Sequence, residues 1–311
     1  MNNAIDKQTI SVVIPLYNKE QYVARAILSV LSQIYPVHEI IIVDDGSQDS
    51  SVAQVNSLLT DHNNITLLTQ ANSGPSAARN KGMERASGEW IALLDADDWW
   101  EPNHLSSLIE GVENFPECLV SVSHYQFEYV NHSQLAHCQT QDEGIIDDYF
   151  AACCHYDLPI TSSSIIMHRQ VFEFTKGFDE AIQKGEDQIL WSNIAILYPI
   201  YFSAQCTMHY WIGERAYQVH HMVLTPAPQL EYYKALLTSE CLSQQHRSSL
   251  GYLAHLTILH CIKHNLMTGD KDTARTLLNT HWAVQSDRFS MVARVLLWLP
   301  TLLTKWILRF A

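Results

Sequence analysis

The sequence predicts an α/β fold with a mainly parallel sheet flanked by helices and a helical C-terminal region. Over the first hundred residues, short apolar runs alternate with amphipathic stretches, which is typical of βαβ units. Hydrophobic residues make up 47% of the chain and charged residues 17%, a mixture able to bury a substantial core. From about residue 228 the pattern is helical to the end. We therefore expect a sheet domain over residues 1–225 and a helical region over 226–311.

The apolar runs predict strands at residues 10–16, 39–43, 65–68 and 90–94. Asn18, with Gln21 three residues on, predicts the cap of a first helix with one apolar face. Further elements are expected as helices at 50–59, 76–86 and 102–114 and a strand at 119–129. In such sheets ligands bind beyond the carboxyl ends of the strands, so the polar residues there are the candidates for function.

The strand at 39–43 is followed by Asp44, Asp45 and Gly46. An acidic turn in this place is commonly a helix cap or a solvated loop. The functional alternative is the edge of a pocket, in which Asp44 accepts hydrogen bonds from a base or a ribose.

The strand at 90–94 leads into Asp95, Ala96, Asp97 and Asp98, a stronger signal. If the extended backbone continues past Leu94, the carboxylates of Asp95 and Asp97 point to the same side. Two such carboxylates repel each other unless a cation joins them, and Mg²⁺ or Mn²⁺ is the cation that suits oxygen ligands. The alternative is an acidic turn that begins a helix.

A third element, Gln70 to Gly82, places a turn at Gly74 before a helix that carries Arg79 and Lys81 in its first turns. Free N–H groups at a helix start and an arginine fork suit a phosphate or a ribose. A capped helix with solvated cations is the alternative.

In this order the motifs SVVIPLYN, IIIVDDGSQDSS, ANSGPSAARNKG and LLDADD resemble the family 2 glycosyltransferases of the GT-A fold. The resemblance covers most of residues 9–225. It implies an inverting, metal-dependent hexosyl transfer from a nucleoside-diphosphate-sugar, a UDP-sugar first of all, with Mn²⁺ or Mg²⁺. The donor-site residues it implies are Pro15, Tyr17, Asn18, Asp44, Asp45, Gly74, Arg79, Asp95 and Ala96, and the metal ligands are Asp97, Asp95 and His220.

Two later segments carry the resemblance further. Gly177-Phe-Asp-Glu followed by Gly185-Glu-Asp is similar to the family segment that holds the catalytic base, which implies Asp187 as the base and Glu186 as second choice. Without the resemblance, an acid pair at a helix start is commonly a cap. The segment from Tyr217 to His220 is similar to a Y-R-x-H motif, with Gln218 in the place of the arginine.

The formal net charge of −14 and the absence of basic runs exclude a nucleic-acid binder. A nucleotidyltransferase would carry a glycine-rich basic loop after the first strand, where this chain has Pro-Leu-Tyr-Asn-Lys-Glu. A non-catalytic nucleotide-binding module of a glycan-assembly complex stays open as an alternative.

The tail at 289–311 is strongly apolar, but Arg294, Pro300, Lys305 and Arg309 interrupt it, unlike a membrane span. It predicts either an interfacial helix with snorkelling basic residues or a helix packed on its own domain. The N-terminal residues MNNAIDKQ do not have the pattern of a secretory signal. We expect a cytoplasmic protein with peripheral contact to the inner face of the membrane, acting on a surface glycan or a lipid-linked saccharide.

Overall fold

The computed structural model describes residues 8–138, 142–154, 157–213, 226 and 228–308. The chain divides into two compact units, Met1–Ala216 and Tyr217–Ala311. The first contains the sheet and the second is helical over its described residues. The predicted α/β class is therefore confirmed.

One sheet runs through the first unit. Its strands, over the described residues, are β1 (Ile10–Leu16), β2 (Glu39–Asp44), β3 (Ile65–Thr69), β4 (Trp90–Leu93), β5 (Trp99–Trp100), β6 (Val120–Tyr129), β7 (Ser133–Leu135), β8 (Gly144–Ile145), β9 (Ile165–His168) and β10 (Ile200–Gly213). The order is β3-β2-β1-β4-β9-β6-β10-β5, with β7 beside β6 and β8 beside β10. The first four strands pair in parallel, whereas β9 runs antiparallel between β4 and β6.

Helices flank this sheet. They are α1 (Val23–Leu31), α2 (Ser51–Leu59), α3 (Pro75–Arg85), α4 (His104–Asn114), α5 (Tyr149–Ala152), α6 (Arg169–Thr175) and α7 (Glu186–Leu197). The predicted strands agree with the observed ones to within about a residue at each end. The agreement follows from the uninterrupted apolar runs, which bury β1 and β2 almost completely.

The predicted cap at Asn18 is wrong, because α1 begins at Val23. Asn18 has a left-handed φ of 50°, and its Oδ1 accepts a hydrogen bond of 2.8 Å from the backbone N–H of Gln48. The backbone N–H of Lys19 donates to Ser51 Oγ at 2.7 Å. The segment after β1 is therefore bonded to the loop after β2, which delays the helix and holds Lys19 beside the sheet edge.

Close packing of α3 on the sheet depends on Gly82. A Cβ atom there would lie 2.3 Å from Val13 Cγ1 on β1, a distance that side chains do not tolerate. Glycine lets α3 approach the sheet, and this approach carries Arg79, one turn earlier, to the carboxyl edge of β1 and β4.

The second unit is built around a long central helix. Its helices, over the described residues, are α8 (Gln229–Thr238), α9 (Gln244–Thr268), α10 (Lys271–Thr280), α11 (Arg288–Leu296) and α12 (Thr301–Leu308). Each of the other four packs against α9, which buries Leu250, Ala254 and Ile258. The apolar tail forms two helices separated by Pro300. Within the described part of the chain, none of the helices is both long and apolar enough to cross a bilayer.

Candidate active site

A cleft of about 480 Å³ opens beyond the carboxyl ends of β1, β2 and β4. Its walls include eight residues predicted for the donor site or the metal: Pro15, Tyr17, Asp45, Gly74, Arg79, Asp95, Ala96 and Asp97. Lys19, Asp98, Tyr210 and Trp211 also line it. The sheet thus brings four separate stretches of the N-terminal half to one cavity, together with two residues of β10.

Two predicted donor-site residues do not line this cleft. Asp44 is buried, and its Oδ1 accepts a hydrogen bond of 3.2 Å from the backbone N–H of Ser47. Asn18 is exposed in the loop described above. In this structure both side chains bond to neighbouring backbone groups.

The acidic segment after β4 is a turn. The strand ends at Leu93, and the backbone N–H of Asp98 donates to the carbonyl of Asp95 at 3.0 Å. The assumption that extended backbone continues past Leu94 is therefore wrong. The carboxylates of Asp95 and Asp97 nevertheless line one cleft, because the turn and not strand alternation directs them there.

Each of these carboxylates pairs with a side-chain cation. Asp95 Oδ1 lies 2.6 Å from a terminal nitrogen of Arg79, and Asp97 Oδ2 lies 2.5 Å from Lys19 Nζ. Arg25 adds a hydrogen bond of 2.6 Å to the carbonyl of Asp97 while its guanidinium lies 3.7 Å from the ring centre of Trp99. The mutual repulsion expected of the two acids is relieved here by cations of the chain itself.

A divalent cation fits this arrangement if the protein supplies only two of its ligands. Among the described residues, no three His, Cys, Asp or Glu side chains converge as a metal cage. Mg²⁺ and similar ions in nucleotide sites, however, commonly take one or two carboxylates and complete their shell with waters and phosphate oxygens. Asp95 and Asp97 are such a pair. The third predicted ligand, His220, lies outside the described residues.

Asp98 anchors the turn. Its Oδ2 accepts a hydrogen bond of 2.5 Å from Ser163 Oγ, and its Oδ1 accepts one of 2.8 Å from the backbone N–H of Trp211. Burial, followed by the charges of Asp95 and Asp97, raises the pKa of Asp98 well above its usual value. Asp98 thereby ties the acidic turn to β10 and to the short 3₁₀ helix at Ser162–Ser164.

Asp45 holds the turn that begins α3. Its carboxylate accepts hydrogen bonds from Gln70 Nε2 at 2.9 Å and from the backbone N–H groups of Ser73 and Gly74, both at 2.8 Å. Gly74 has a φ of 93°, a backbone conformation that favours glycine. The Asp45 carboxylate thus fixes the conformation of this loop at the wall of the cleft by accepting hydrogen bonds from two of its backbone N–H groups.

A second cleft, of about 400 Å³, adjoins the first and contains the predicted base. Arg79, Asp95 and Tyr210 line both clefts. The other walls of the second are Tyr125, Phe127, Asp157, Leu158, Ile160, Thr161, Ser162, Glu186 and Asp187. The acids from the middle of the sequence therefore lie next to the acidic turn, as the predicted site requires.

Asp187 and Glu186 occupy the first turn of α7, after Gly185 with its φ of 79°. Asp187 Oδ1 accepts a hydrogen bond of 2.7 Å from the backbone N–H of Gln188. Burial raises the pKa of Asp187 above its usual value, although this hydrogen bond and the charge of Arg79 act in the opposite direction. Burial also raises the pKa of Glu186. A carboxylate with a raised pKa accepts a proton more readily.

Helix α3 positions the loop before α7 through Asn80. Its Nδ2 donates to the carbonyl of Phe178 and its Oδ1 accepts from the N–H of Phe178, both at 2.8 Å. Nδ2 also lies 3.0 Å from Glu180 Oε1. One helix therefore carries Arg79 into the clefts and fixes the segment that leads to Asp187.

Arg79 stands at the junction of the clefts. Its side chain is 8% exposed, and its guanidinium lies over the ring of Phe178, 5.2 Å from the centre. Burial lowers the pKa of Arg79, but Asp95, Glu186 and Asp187 outweigh it, so the pKa is raised. Its Nε is buried without a hydrogen-bond partner among the described residues. The Arg79 guanidinium therefore stays positively charged, and its Nε–H group has no hydrogen-bond acceptor among the described residues.

Sequence reasoning did not identify Lys19, Tyr210, Trp211 or Ser163 as parts of the site. Lys19 directly follows the first motif, and a basic residue next to a segment predicted for the donor site was the one available signal. The other three lie far along the chain in segments whose composition is ordinary. Only the pairing of β10 and β9 with the rest of the sheet brings them here.

Comparison with known proteins finds relatives by sequence. Residues 11–173 match the sequence model of glycosyl transferase family 2. An uncharacterized glycosyltransferase of Haemophilus influenzae is 44% identical over 91 residues, 29% of this chain and 36% of that protein. The chain matches about a third of the length of this and similar curated relatives.

Solved structures share the fold. Residues 1–349 of S. aureus TarS, in complex with UDP-GlcNAc, have a TM-score of 0.66 at 16% identity, covering 96% of this chain and 90% of that one. The mannosyltransferase PcManGT of Pyrobaculum calidifontis, in complex with GDP-Man and Mn²⁺, has a TM-score of 0.63 at 16% identity, covering 98% and 85%.

Proposed function

Because the chain belongs to glycosyl transferase family 2, whose sequence model matches more than half of it, we propose that it transfers a sugar from a nucleoside-diphosphate donor to an acceptor hydroxyl. The observation that carries the proposal is the shared wall of the two clefts. Arg79, Asp95 and Tyr210 line both, so a donor in the first would meet an acceptor in the second. Family membership favours this reaction over nucleotidyl transfer.

The donor occupies the first cleft. Pro15 and Tyr17 line its nucleotide end, and Lys19 and Arg79 supply the positive charge that an acidic protein needs to bind a diphosphate. A UDP-sugar is our first choice, supported by the UDP-GlcNAc named for TarS, and GDP-mannose is named for PcManGT. A divalent cation held by Asp97 and Asp95 would neutralise charge on the departing diphosphate.

Transfer is a single displacement with inversion. The acceptor oxygen forms a bond to the anomeric carbon while the bond from that carbon to the diphosphate oxygen breaks. Asp187 takes the hydroxyl proton, a contribution of roughly 10²–10⁴-fold in rate for a well-placed base. Burial at this position, which raises the pKa of Asp187, makes the carboxylate a better proton acceptor. Glu186, one residue earlier, is the second candidate.

The acceptor occupies the second cleft. Its walls combine the rings of Phe127 and Tyr210 with the carboxylate of Asp157, and aromatic faces and carboxylates suit the apolar faces and hydroxyls of a sugar. We propose a surface glycan or a lipid-linked saccharide as acceptor, at the cytoplasmic side of a membrane.

Donor identity is tested first, by thermal stabilisation of the chain with UDP-, GDP- and dTDP-sugars, each with and without Mn²⁺. Stabilisation by one nucleotide class and its increase with Mn²⁺ are expected, because a ligand that binds the folded state raises Tm. A UDP-sugar that stabilises only as much as the free sugar would contradict the assigned donor cleft.

Catalysis is tested with Asp187→Asn, which keeps the shape of the side chain and removes the base. Transfer is expected to fall by at least about 10²-fold while donor affinity changes little. Glu186→Gln tests the second candidate. Asp179→Asn is the matched control, because this exposed acid lies in the loop before α7 but outside both clefts. Near wild-type turnover of Asp187→Asn would remove the base assignment, and donor binding without transfer by the unmodified chain would favour a non-catalytic module.

A further inference from the structure

The outer face of α11 exposes a row of large apolar side chains. Met291 is 57% exposed, Val295 59% and Trp298, in the turn that follows the helix, 88%. The spacing of four and three residues places them along one side. The opposite side, with Ala293 and Leu296, is buried. A contiguous apolar row of this kind marks an interaction surface, whereas scattered single residues do not.

An apolar recess continues this row. A cavity of about 300 Å³ lies between α9 and α11 and is lined mainly by aliphatic side chains, among them Leu259, Ile262, Leu266, Phe289, Val292 and Leu308. Val292 is itself half exposed on α11, so the row and the recess form one surface. Lys263, an exposed residue of α9, stands at the rim of the recess.

The segment that begins with α11, residues 288–311, is positively charged, whereas the chain as a whole is negatively charged. Residues 288–311 contain four basic residues and no acidic one, in a protein of net charge −14. Arg288 and Arg294 are exposed on α11, and the side chains of Lys305 and Arg309 lie outside the part of the chain that the structure describes. A second copy of the same surface would bring like charges together, which is unfavourable. An anionic bilayer offers both an apolar layer and negative charge, and it is the partner that fits.

We propose that α11, with Trp298 and the exposed basic residues Lys263, Arg288 and Arg294, lies in the headgroup region of an anionic bilayer. Met291, Val295 and Trp298 enter the acyl boundary, and the basic side chains contact lipid phosphates. Trp suits this depth because its ring is apolar and its N–H is polar. The binding extends the proposed function by bringing the chain to a membrane, and it does not depend on sugar transfer.

Flotation of the full chain with lipid vesicles tests the proposal, using phosphatidylcholine alone and phosphatidylcholine with about a third phosphatidylglycerol. Binding to the anionic vesicles is expected, with a decrease in 0.5 M NaCl because salt screens the charges. Val295→Ser combined with Trp298→Ser is expected to weaken binding by at least about tenfold. Both side chains are exposed, so Tm should be unchanged. Ile34→Ser is the matched control, because Ile34 is 71% exposed in the first unit.

The basic residues are tested separately. Lys263→Gln with Arg288→Gln is expected to weaken binding to the anionic vesicles by about thirtyfold, since each basic residue near such a surface contributes about fivefold. Equal binding of the unmodified chain and the Val295/Trp298 variant, or of neutral and anionic vesicles, would overturn the proposal. A dimer in light scattering that the Val295/Trp298 variant converts to monomer, without any vesicle binding, would assign the surface to a second copy instead.

Discussion

Two acidic turns stand on either side of the central strand β1, one after β2 and one after β4, and their carboxylates have different partners. Asp45, after β2, accepts hydrogen bonds from two backbone N–H groups and a glutamine of the next loop. Asp95 and Asp97, after β4, pair with the side chains of Arg79 and Lys19. Both turns line the same cleft.

The difference separates a structural acid from a candidate ligand-binding acid. A carboxylate that accepts hydrogen bonds from backbone N–H groups cannot leave them without leaving donors unpaired, which costs free energy. A carboxylate paired with a cationic side chain that lines the same cleft can exchange that cation for a ligand. The position of an acid after a strand is therefore less informative than the kind of group that it contacts.

The largest effect is expected at Asp97. Asp97→Asn should lower transfer by about 10²–10³-fold, because electrostatic groups at a departing diphosphate contribute on this scale, and donor affinity should fall as well. Steady-state kinetics and calorimetry with the donor measure both. Tm should change by only a few degrees, since the Asp97 side chain pairs with the side chain of Lys19 in the cleft. Normal turnover would show that the role of Asp97 is structural, as we propose for Asp45.

At Asp45 the expected effect is on stability. Asp45→Ala should lower the free energy of unfolding by about 2–4 kcal/mol, because three donors lose their acceptor. Urea denaturation measures the loss, and Asp45→Asn, which keeps one acceptor oxygen, should lose less. A variant with an unchanged urea midpoint but donor affinity reduced tenfold would make Asp45 a ligand.

Asp187 has features of both kinds of acid, since it accepts a backbone hydrogen bond and is also influenced by the charge of Arg79. Its raised pKa means that the proton stays bound to a higher pH than on an exposed aspartate, whose pKa is about 3.9. Because the base must be deprotonated, transfer should fall about tenfold per pH unit below this raised pKa. A pH–rate profile of kcat/KM tests this, and a profile whose acidic limb persists in Asp187→Asn would assign the limb to another group.

A variant of Lys19 tests whether the cation paired with Asp97 can be exchanged for a metal ion. In Lys19→Met, Asp97 loses its ion-pair partner, so Mn²⁺ should bind the donor-free protein more tightly, by up to about tenfold. Calorimetric titration with Mn²⁺ measures the change. Lys81→Met is the control, because Lys81 donates to the backbone carbonyl of Thr69 and lies outside the cleft. Equal changes in the two variants would point to net charge and not to the pair.

The smallest effect is expected at Asp98. Asp98→Asn should change the free energy of unfolding by less than about 1 kcal/mol, because burial already favours the neutral form of this side chain. Its amide can still accept from Trp211 and bond to Ser163. Asp98→Ala, which leaves both donors unpaired, should cost more, and chemical denaturation compares them. Equal losses would contradict a neutral Asp98.

Local patterns predicted the strands and the acids of this site, since alternation and buried runs depend on neighbouring residues alone. The start of α1 was predicted wrongly because hydrogen bonds to Gln48 and Ser51, about thirty residues away, hold the segment after β1 in a turn. The pairing of the acids with Lys19 and Arg79 was harder to predict than the start of α1. Lys19 and Arg79 reach their acids only through the loop after β1 and the close approach of α3 at Gly82.

The sequence by itself determined the α/β class, the family, and the chemical identity of the acids, because these follow from residue types at fixed spacings. Only the tertiary structure decided which acids contact backbone and which contact cations, and that Asp187 lines the same cleft as Asp95. The physical reason is that a carboxylate acts through its neighbours within a few ångströms. Those neighbours come from the segment after β1 for Asp97, from α3 for Asp95 and from β10 for Asp98. Their positions depend on strand pairing between distant parts of the chain, such as Ile200 with Val120 and Met208 with Trp100.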